Sequence, residues 1–222
     1  MKTRNVLITG GSRGIGKAII KRLKSEGYKI INPTSRELDL SDDSSVKSFI
    51  EKNKNLSIDI LINNAGINQP QWINELEDEN LEQTLKINLI SPIKLIKAFV
   101  PNMIKGRWGR IINISSIFGI VARGKQIPYV SSKHGLNGVT KTLALELGQY
   151  NILVNSVCPG FTNTDLIKKN PPEKIAELVK DIPLGRLAEP EEVANLICFL
   201  VSPKNSYITG SVIVIDGGFT CK

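Results

Sequence analysis

The stretch TGGSRGIG, residues 9–16, decides the fold, because it stands between an apolar run and an amphipathic segment. This context predicts a tight turn from a strand into a helix. Gly10 would permit the turn, Gly14 would let the backbone approach a pyrophosphate, and Gly16 would let the helix pack closely on the strand. Free N–H groups at the start of the helix favour phosphate binding. A turn with no ligand is the alternative for a lone glycine pattern, but the flanking strand and helix favour a dinucleotide site.

Outward from this turn, short apolar segments alternate with longer amphipathic ones. The predicted strands are residues 5–9, 29–32, 58–63, 109–115, 152–157 and 211–216. The predicted helices lie near residues 14–26, 42–54, 79–104, 127–149, 172–181 and 190–201. Nearly continuous apolar strands are typical of a parallel sheet that is covered on both faces, and the alternation favours a doubly wound arrangement. We predict a single-domain, Rossmann-like α/β fold over residues 1–222.

The segment PTSRELDLSD, residues 33–42, is unusually short for its position. A parallel crossover needs about a dozen or more residues, and only a handful separate the second strand from the LDLSD segment. The sequence therefore predicts that the crossover helix after the second strand is missing and that the third strand is absent or vestigial. Ser41, with Asp42 and Asp43, is expected to open the next helix.

Composition narrows the class of protein. The chain has 222 residues, of which 41% are hydrophobic and 23% charged, as in an ordinary globular domain. It has no run of about 20 apolar residues that would span a membrane, and its N-terminus moves straight into a strand rather than a signal peptide. Three cysteines without CxxC spacing indicate free thiols in a reducing cytoplasm. No metal site is predicted.

The net charge of +8 has several possible physical interpretations. A solvated basic surface is the simplest, and a phosphorylated cofactor, an acidic partner or a nucleic acid would each suit it. Because the basic residues are dispersed and are not interleaved with aromatic residues, we predict that the protein does not bind nucleic acid.

Further motifs follow the glycine-rich turn in order. They are Asn63-Asn64-Ala65-Gly66, Asn88 in KINLISP, Ser116 in NISSIFG, Tyr129 and Lys133 in YVSSK, and Pro159-Gly160 in PGFTNTD. With the Gly-xxx-Gly-x-Gly spacing of residues 10–16, this ordered set resembles the classical short-chain dehydrogenase/reductase family over nearly the whole chain. Among its members, the chain looks most similar to 3-oxoacyl-[acyl-carrier-protein] reductases.

The resemblance implies hydride transfer between a nicotinamide and a carbonyl, for which the developing alkoxide needs a proton donor. Tyr129 would be the general acid, and the nearby ammonium of Lys133, one helical turn away, would lower its pKa. Ser116 would bond the substrate oxygen, with Ser115 as the competing serine. Asn88 would continue a proton relay beyond Lys133. Without the other motifs, Tyr129 and Lys133 would be an ordinary surface pair.

The cofactor assignment depends on the end of the second strand. Family members that use NAD place a carboxylate there, whereas this chain offers Thr34, Ser35 and Arg36, which suit a 2′-phosphate. Arg13 adds a second cation, so we predict NADP(H) rather than NAD(H). The implied cofactor-binding residues are Gly10, Ser12, Arg13, Gly14, Ile15, Gly16, Thr34, Ser35, Arg36, Asp39, Leu40, Asn64, Ala65, Gly66, Tyr129, Lys133, Pro159, Gly160, Thr162 and Thr164.

The sequence predicts the substrate less narrowly than the cofactor. A 3-oxoacyl thioester on an acidic carrier protein suits the basic chain, with Lys105 and Arg107 as docking candidates, although Tyr150 stands where the family has a second docking arginine. Reductases of keto sugars or other small ketones share the same motifs. A catalytically idle cofactor-binding regulator is a further alternative, which the intact catalytic set disfavours. The family also implies a homotetramer, or a homodimer, built on helices 79–104 and 127–149.

Overall fold

The computed structural model describes residues 3–221, apart from the side chain of Leu166. Its centre is one six-stranded parallel sheet in the order β2-β1-β3-β4-β5-β6. The strands are β1 (Asn5–Ile8), β2 (Lys29–Ile31), β3 (Ile60–Asn63), β4 (Gly109–Ile114), β5 (Ile152–Pro159) and β6 (Val212–Ile215). The predicted α/β parallel sheet is therefore confirmed, and each strand end lies within a few residues of its predicted position.

Helices cover both faces of the sheet. They are α1 (Gly14–Ser25), α2 (Asp43–Asn53), α3 (Asp78–Leu85), α4 (Ser91–Gly106), α5 (Ile127–Leu147), α6 (Asp165–Lys168), α7 (Pro172–Lys180) and α8 (Pro190–Val201). On one face, α1 and α8 bury Ile19 and Ile197 against the strands. On the other face, α2 and α4 bury Phe49 and Phe99. The sequence pattern follows from this layering, because strands covered on both sides cannot alternate apolar with polar residues.

The strand order determines where the ligand crevice of the fold lies. From β1 the chain first turns to β2 on one side and later reaches β3 on the other. In open parallel sheets, the carboxyl ends of strands that diverge in this way form the usual ligand crevice. The glycine-rich turn follows β1, and Asn64 to Gly66 follow β3, so both motifs lie at this crevice.

The connection from β2 to α2 is short. Residues 32–42 form turns and contain neither helix nor strand, and α2 then leads directly to β3. Asp42 caps α2, since its carboxylate accepts from the backbone N–H groups of Ser44 and Ser45. The structure shows a six-stranded sheet. Whether a helix and a strand are missing can be judged only by comparison with the family's usual set of elements, so that statement stays a prediction.

The predicted helix near 79–104 is confirmed as a continuous helical stretch over residues 78–106, but it is not α-helical throughout. A π-helical segment, Lys86–Ile90, separates α3 from α4. The continuous helical stretch 78–106 has the length and hydropathy of a membrane span, although polar and charged residues interrupt its apolar ones. Leu95, Phe99 and Met103 are buried in the core under the sheet, so we assign the stretch as a core helix.

Candidate active site

The glycine-rich turn is shaped by contacts that exclude side chains. Gly10 (φ +67°) and Gly14 (φ +51°) have left-handed backbones, which favour glycine. A Cβ on Gly10 would lie 2.8 Å from the Cα of Ala65, and one on Gly14 would lie 3.2 Å from the Cγ2 of Thr164. The turn therefore keeps its backbone accessible between β1 and β3. This is the cradle that a pyrophosphate needs, so these residues fit a dinucleotide cofactor.

The start of α1 offers further anion-binding groups. Arg13 is the N-cap residue, and its side chain makes no cap hydrogen bond to the first turn of the helix. Beside it, a second cavity of about 740 Å³ is lined by Ser12, Arg13, Gly14 and Thr164, among others. Ile15 instead lines the main cleft, a cavity of about 850 Å³ that Ser116, Tyr129 and Lys133 also line, and Gly16 is buried. The unbonded N–H groups and the positive end of the helix dipole favour a phosphate at this point.

Thr9 and Asn64 hold the two crevice loops together. The Thr9 hydroxyl accepts from the N–H groups of Asn64 and Ala65, both at 3.1 Å. In return, Asn64 Nδ2 donates to the carbonyl oxygens of Thr9 and Gly10. This reciprocal set fixes the glycine-rich turn against the loop after β3, so Asn64 acts here by positioning the turn.

Asn88 lies inside the π-helical segment, and its buried side chain points at the same loop. Its Oδ1 accepts from the N–H of Ile67, and its Nδ2 donates to the carbonyl oxygen of Ile67, each at 2.9 Å. Nδ2 also lies 3.2 Å from the hydroxyl of Ser132 on α5. Single π-helical turns occur most often at functional sites. Asn88 thus links the loop after β3 to the helix that carries Tyr129 and Lys133.

The two adjacent serines at the end of β4 have different partners. The Ser115 hydroxyl donates to the carbonyl oxygen of Lys133 at 3.2 Å, so it is engaged within the fold. The Ser116 hydroxyl accepts from the N–H of Phe118 at 3.1 Å, so its own proton remains available for the Tyr129 hydroxyl or for a substrate oxygen. Both line the main cleft. The predicted preference for Ser116 fits this difference.

Tyr129 and Lys133 lie on one face of α5, and both line the cleft. Lys133 is buried, its Nζ donates to the carbonyl oxygen of Ile114 at 2.7 Å, and it lies 5.5 Å from the centre of the Tyr129 ring. A tyrosine, a serine and a lysine are thus brought together at the carboxyl ends of β4 and β5. This arrangement can donate a hydrogen bond and then a proton to an oxygen held in the cleft.

The expected lowering of the Tyr129 pKa is not found. Burial raises the pKa of Tyr129 above its usual value, and hydrogen bonding with Ser116 offsets only part of that rise. Lys133 is itself buried, and this lowers the pKa of its ammonium to about 8. A protonated phenol suits the acid in carbonyl reduction, because the reaction requires a proton that can be given up.

Lys133 should make stability depend on pH. Its native pKa of about 8 lies below the ordinary 10.5, so between these values the unfolded chain binds a proton that the native protein does not. We therefore expect the free energy of unfolding of the wild type to rise, relative to Lys133→Met, as the pH increases from about 8 to about 10. Urea unfolding at about pH 7 and about pH 9.5 measures this difference. The exposed Lys97→Met is the control, and an equal pH response in both variants would contradict the prediction.

The segment after β5 completes the main cleft, which has a volume of about 850 Å³. Pro159, Gly160, Thr162 and Thr164 all line it, and the Thr162 hydroxyl donates to the carbonyl oxygen of Gly160. Three aromatic residues, Trp72, Phe118 and Phe161, line it as well. His134 does not, since its exposed ring lies on α5 with Nδ1 3.0 Å from the carbonyl oxygen of Val130.

The residues predicted to bind the adenosine end of the cofactor differ more from expectation. Thr34 donates through both its N–H and its hydroxyl to Oε2 of Glu37, at 2.8 and 2.9 Å. Ser35 and Arg36 are exposed. Asp39 accepts from the N–H and hydroxyl of Ser41, which holds its pKa below the usual range. Leu40 is buried in the core, so its contact with an adenine ring stays a prediction.

Three residues near these sites were missed by sequence reasoning. Asn32 follows β2 directly, and its Oδ1 accepts from the N–H of Gly11 at 3.1 Å, two residues before the position assigned to cofactor recognition. Glu37 supplies a carboxylate at that position from further along the chain. Gln126 lies at the start of α5 and lines the cleft. Only Asn32, as the polar residue that ends an apolar strand, had a signal in the sequence.

The fold and the cleft define an α/β protein with a dinucleotide crevice and a tyrosine–lysine pair at its centre. A family model described as Enoyl-(Acyl carrier protein) reductase matches residues 30–220. The chain is also 40% identical, over 236 aligned positions, to 3-oxoacyl-[acyl-carrier-protein] reductase FabG of Aquifex aeolicus, covering 96% of this chain and 95% of the relative. The chain belongs to the short-chain dehydrogenase/reductase family, a family of oxidoreductases that use a nicotinamide cofactor.

Solved structures agree in fold over almost the whole chain. A 4-hydroxyisoleucine dehydrogenase complexed with NADH is similar with a TM-score of 0.93 and 29% identity, covering 99% of this chain and 100% of that one. A putative NAD(P) dependent gluconate 5-dehydrogenase from Beutenbergia cavernae, with bound NADP, is similar with a TM-score of 0.92 and 28% identity, covering 99% and 97%.

Proposed function

We propose that the protein is an NADPH-dependent reductase that converts a ketone to an alcohol, with a 3-oxoacyl thioester as the first candidate substrate. The observation that carries this proposal is the meeting of Ser116, Tyr129 and Lys133 at one wall of the main cleft. The FabG relatives, at 34–40% identity, favour the thioester.

The residues of the cleft have different roles in the proposed reaction. Ser116 donates a hydrogen bond to the carbonyl oxygen of the substrate, and Tyr129 gives its phenolic proton to that oxygen as negative charge develops there. Lys133, fixed by the carbonyl oxygen of Ile114, holds its ammonium beside the phenol and stabilises the phenolate that is left. Asn88 positions α5 against the loop after β3. When bound, the reduced nicotinamide supplies the hydride.

The preference for NADP(H) rests on cations near the adenosine side. Arg13 and Arg36 are exposed, and neither makes a side-chain hydrogen bond or ion pair within residues 3–221. Guanidinium groups suit a phosphate, to which they can donate two parallel hydrogen bonds. Glu37 opposes this preference, because its carboxylate occupies both donors of Thr34. A 2′-phosphate would have to displace Glu37 to reach Thr34.

Glu37→Gln is therefore expected to favour NADPH. The substitution removes a negative charge beside the proposed phosphate site, and we expect the ratio of the Kd for NADPH to the Kd for NADH to fall by about fivefold. Cofactor fluorescence titration measures both constants. Glu82→Gln, which removes an exposed charge from α3, should leave the ratio unchanged. An unchanged or higher ratio would contradict the prediction, and a ratio that falls only because the Kd for NADH rises would mean that Glu37 holds the ribose hydroxyls of NADH instead.

The short connection 32–42 supports a further part of the proposal. We infer that it replaces the crossover helix and third strand of the family's pattern. The alignment with the Aquifex aeolicus relative runs over 236 positions, more than the 222 residues of this chain, so the relative has residues with no counterpart here. The loss would leave residues 1–222 as one domain with β2 at its edge.

The assembly and location belong to the same proposal. Ile90, Ile93 and Leu145 are large apolar residues exposed on α5 and on the stretch 78–106, which supports packing against further copies of the chain as a tetramer or dimer. Leu89 does not contribute to such a surface, since it packs on Gly135 of α5 in the same chain. The three free cysteines suit a reducing cytoplasm.

A docked carrier protein is the least supported part. Arg107 is exposed, but its guanidinium already donates to the carbonyl oxygen of Gln149 at 3.0 Å. A second candidate substrate class is a small polar ketone such as a keto sugar or keto acid. The two solved structures that are named for gluconate and 4-hydroxyisoleucine favour it.

Consumption of NADPH with acetoacetyl-N-acetylcysteamine, followed by chromatographic identification of the 3-hydroxy product, tests the proposed function. Turnover supports a reductase. Cofactor binding without turnover of this thioester or of any small ketone would favour an idle cofactor-binding regulator and contradict the proposal.

A further inference from the structure

The substrate side of the main cleft is strongly basic. Arg123, Lys125, Lys169 and Lys174 line it, in addition to the buried Lys133. Among the described residues that line the cleft, none is an aspartate or a glutamate. A cleft lined by one sign of charge focuses its field and attracts ligands of the opposite sign.

These four cations differ from basic residues elsewhere on the protein. Arg22, Lys94 and Arg186, for example, each pair with a carboxylate. Within residues 3–221, the side chains of Arg123, Lys125, Lys169 and Lys174 make no ion pair and no hydrogen bond. Their charges are therefore free to act on whatever enters the cleft, and only two of them, Arg123 and Lys125, have defined contacts.

Lys125 is held in an unfavourable backbone conformation. Its φ is +68°, in the left-handed region that costs a residue with a side chain roughly 1–3 kcal/mol. A glycine at position 125 would avoid this cost, but the glycine of this loop is the preceding residue, Gly124. The conformation places the Lys125 ammonium 4.6 Å from the centre of the Trp72 ring, at the wall of the cleft. The carbonyl oxygen of Lys125 also accepts from the N–H of Gln71 at 2.8 Å, which fixes the loop.

Arg123 lies over two aromatic rings of the same wall. Its guanidinium carbon is 5.9 Å from the centre of Phe118 and 6.0 Å from that of Phe161. The two rings themselves pack edge to face. Stacking on aromatic faces uses the plane of a guanidinium and leaves its N–H groups at the edge available for a planar anion.

Gln126 gives an independent indication of a ligand. Its side chain is only 8% exposed, lines the cleft and follows Lys125 directly. Its Oε1 is buried and has no hydrogen-bond partner. An unsatisfied buried polar atom is costly, and such atoms in native proteins usually await a ligand or water. Gln126 is the N-cap residue of α5, three residues before Tyr129, and both residues line the cleft.

We propose that the natural substrate is a ketone, or the corresponding alcohol, that carries an anionic group, a carboxylate or a phosphate. This inference rests on the proposed reductase function and deepens it. Arg123 and Lys125 bind the anionic group, Gln126 hydrogen-bonds a polar group near the ketone, and Lys169 and Lys174 raise the local concentration of the anion. Discrimination arises because a neutral substrate leaves these donors without a partner.

The test compares matched pairs of ketones. Levulinate and methyl levulinate differ by one carboxylate near the ketone, and acetoacetyl-CoA and acetoacetyl-N-acetylcysteamine differ by phosphates at the end of a long arm. We expect kcat/KM to favour the anionic member of one pair by roughly tenfold or more. In the double variant Arg123→Gln/Lys125→Gln that ratio should fall towards one. The control Lys47→Gln/Lys97→Gln removes the same charge from exposed helix positions and should keep the ratio.

Each outcome decides a separate point. A preference for levulinate assigns a carboxylate close to the ketone, and a preference confined to acetoacetyl-CoA assigns a distant phosphate. Reduction of both members of each pair at similar rates, or a ratio that the double variant does not change, would overturn the anionic substrate while the reductase stands. If no ketone is reduced, the proposed function fails, and calorimetry with levulinate and methyl levulinate then decides the anion site. Levulinate binding that the double variant loses would support the site, and its absence would overturn it.

Discussion

Replacement of Tyr129 by phenylalanine is expected to lower kcat for ketone reduction by about 1,000-fold. The phenol is the group in the cleft whose position suits proton donation, since a tyrosine is protonated at neutral pH and Lys133 lies beside it. Phenylalanine keeps the ring and its packing but removes the proton. The rate is measured from the disappearance of the reduced cofactor under saturating ketone.

The matched control is Tyr207→Phe, which removes a hydroxyl from a tyrosine that is 96% exposed. Its kcat should equal that of the wild type. If Tyr129→Phe kept more than a tenth of the wild-type kcat, another group would have to supply the proton, and the role assigned to Tyr129 would be wrong.

Gly16→Ala is expected to weaken cofactor binding by on the order of tenfold and to lower Tm by about 5 °C. An added Cβ would collide with the carbonyl oxygen of Gly10 and would lie 2.9 Å from the Cα of Gly11. Both partners are backbone atoms, which cannot move without opening the glycine-rich turn. Overpacking of this kind typically costs about 1–3 kcal/mol. Cofactor titration and thermal unfolding measure the two effects.

Gly138→Ala is the control for the same change of residue. Gly138 lies inside α5, is exposed, and has no atom within 4 Å of an added Cβ. Alanine there should raise stability slightly, because it is the better helix former. Unaltered cofactor affinity in Gly16→Ala would show that the turn can relax, and would remove the steric argument for a cofactor cradle.

The sequence was sufficient for the order of the strands and the longer helices, but not for the short helix α6. The glycine-rich turn, Ser116 and the pair Tyr129 and Lys133 all follow strands or start helices, and parallel strands bring their carboxyl ends to one edge. These predictions rest on local patterns that tertiary packing leaves intact.

Other features depend on contacts that no local pattern encodes. The Glu37 carboxylate reaches Thr34 only because residues 34–38 form a tight turn. The direction of the Tyr129 pKa depends on how much burial outweighs the hydrogen bond with Ser116, and sequence spacing gives neither effect. The sequence pattern does not reveal the π-helical segment, because Leu81, Leu85, Leu89 and Ile93 recur at helical spacing through it.

The π-helical segment Lys86–Ile90 also determines which residues of the helical stretch 78–106 lie on the same face. On a regular α-helix, whose period is about 3.6 residues, the residues buried before it (Asn80 and Thr84) and those buried after it (Leu95, Phe99 and Met103) would drift across an arc of roughly 140°. One surplus residue is taken up between them, which turns the second half by about 100°. The helix can therefore aim Asn88 at the crevice and Phe99 at the core, so the number of residues between those two positions is as much a part of the active site as their identity.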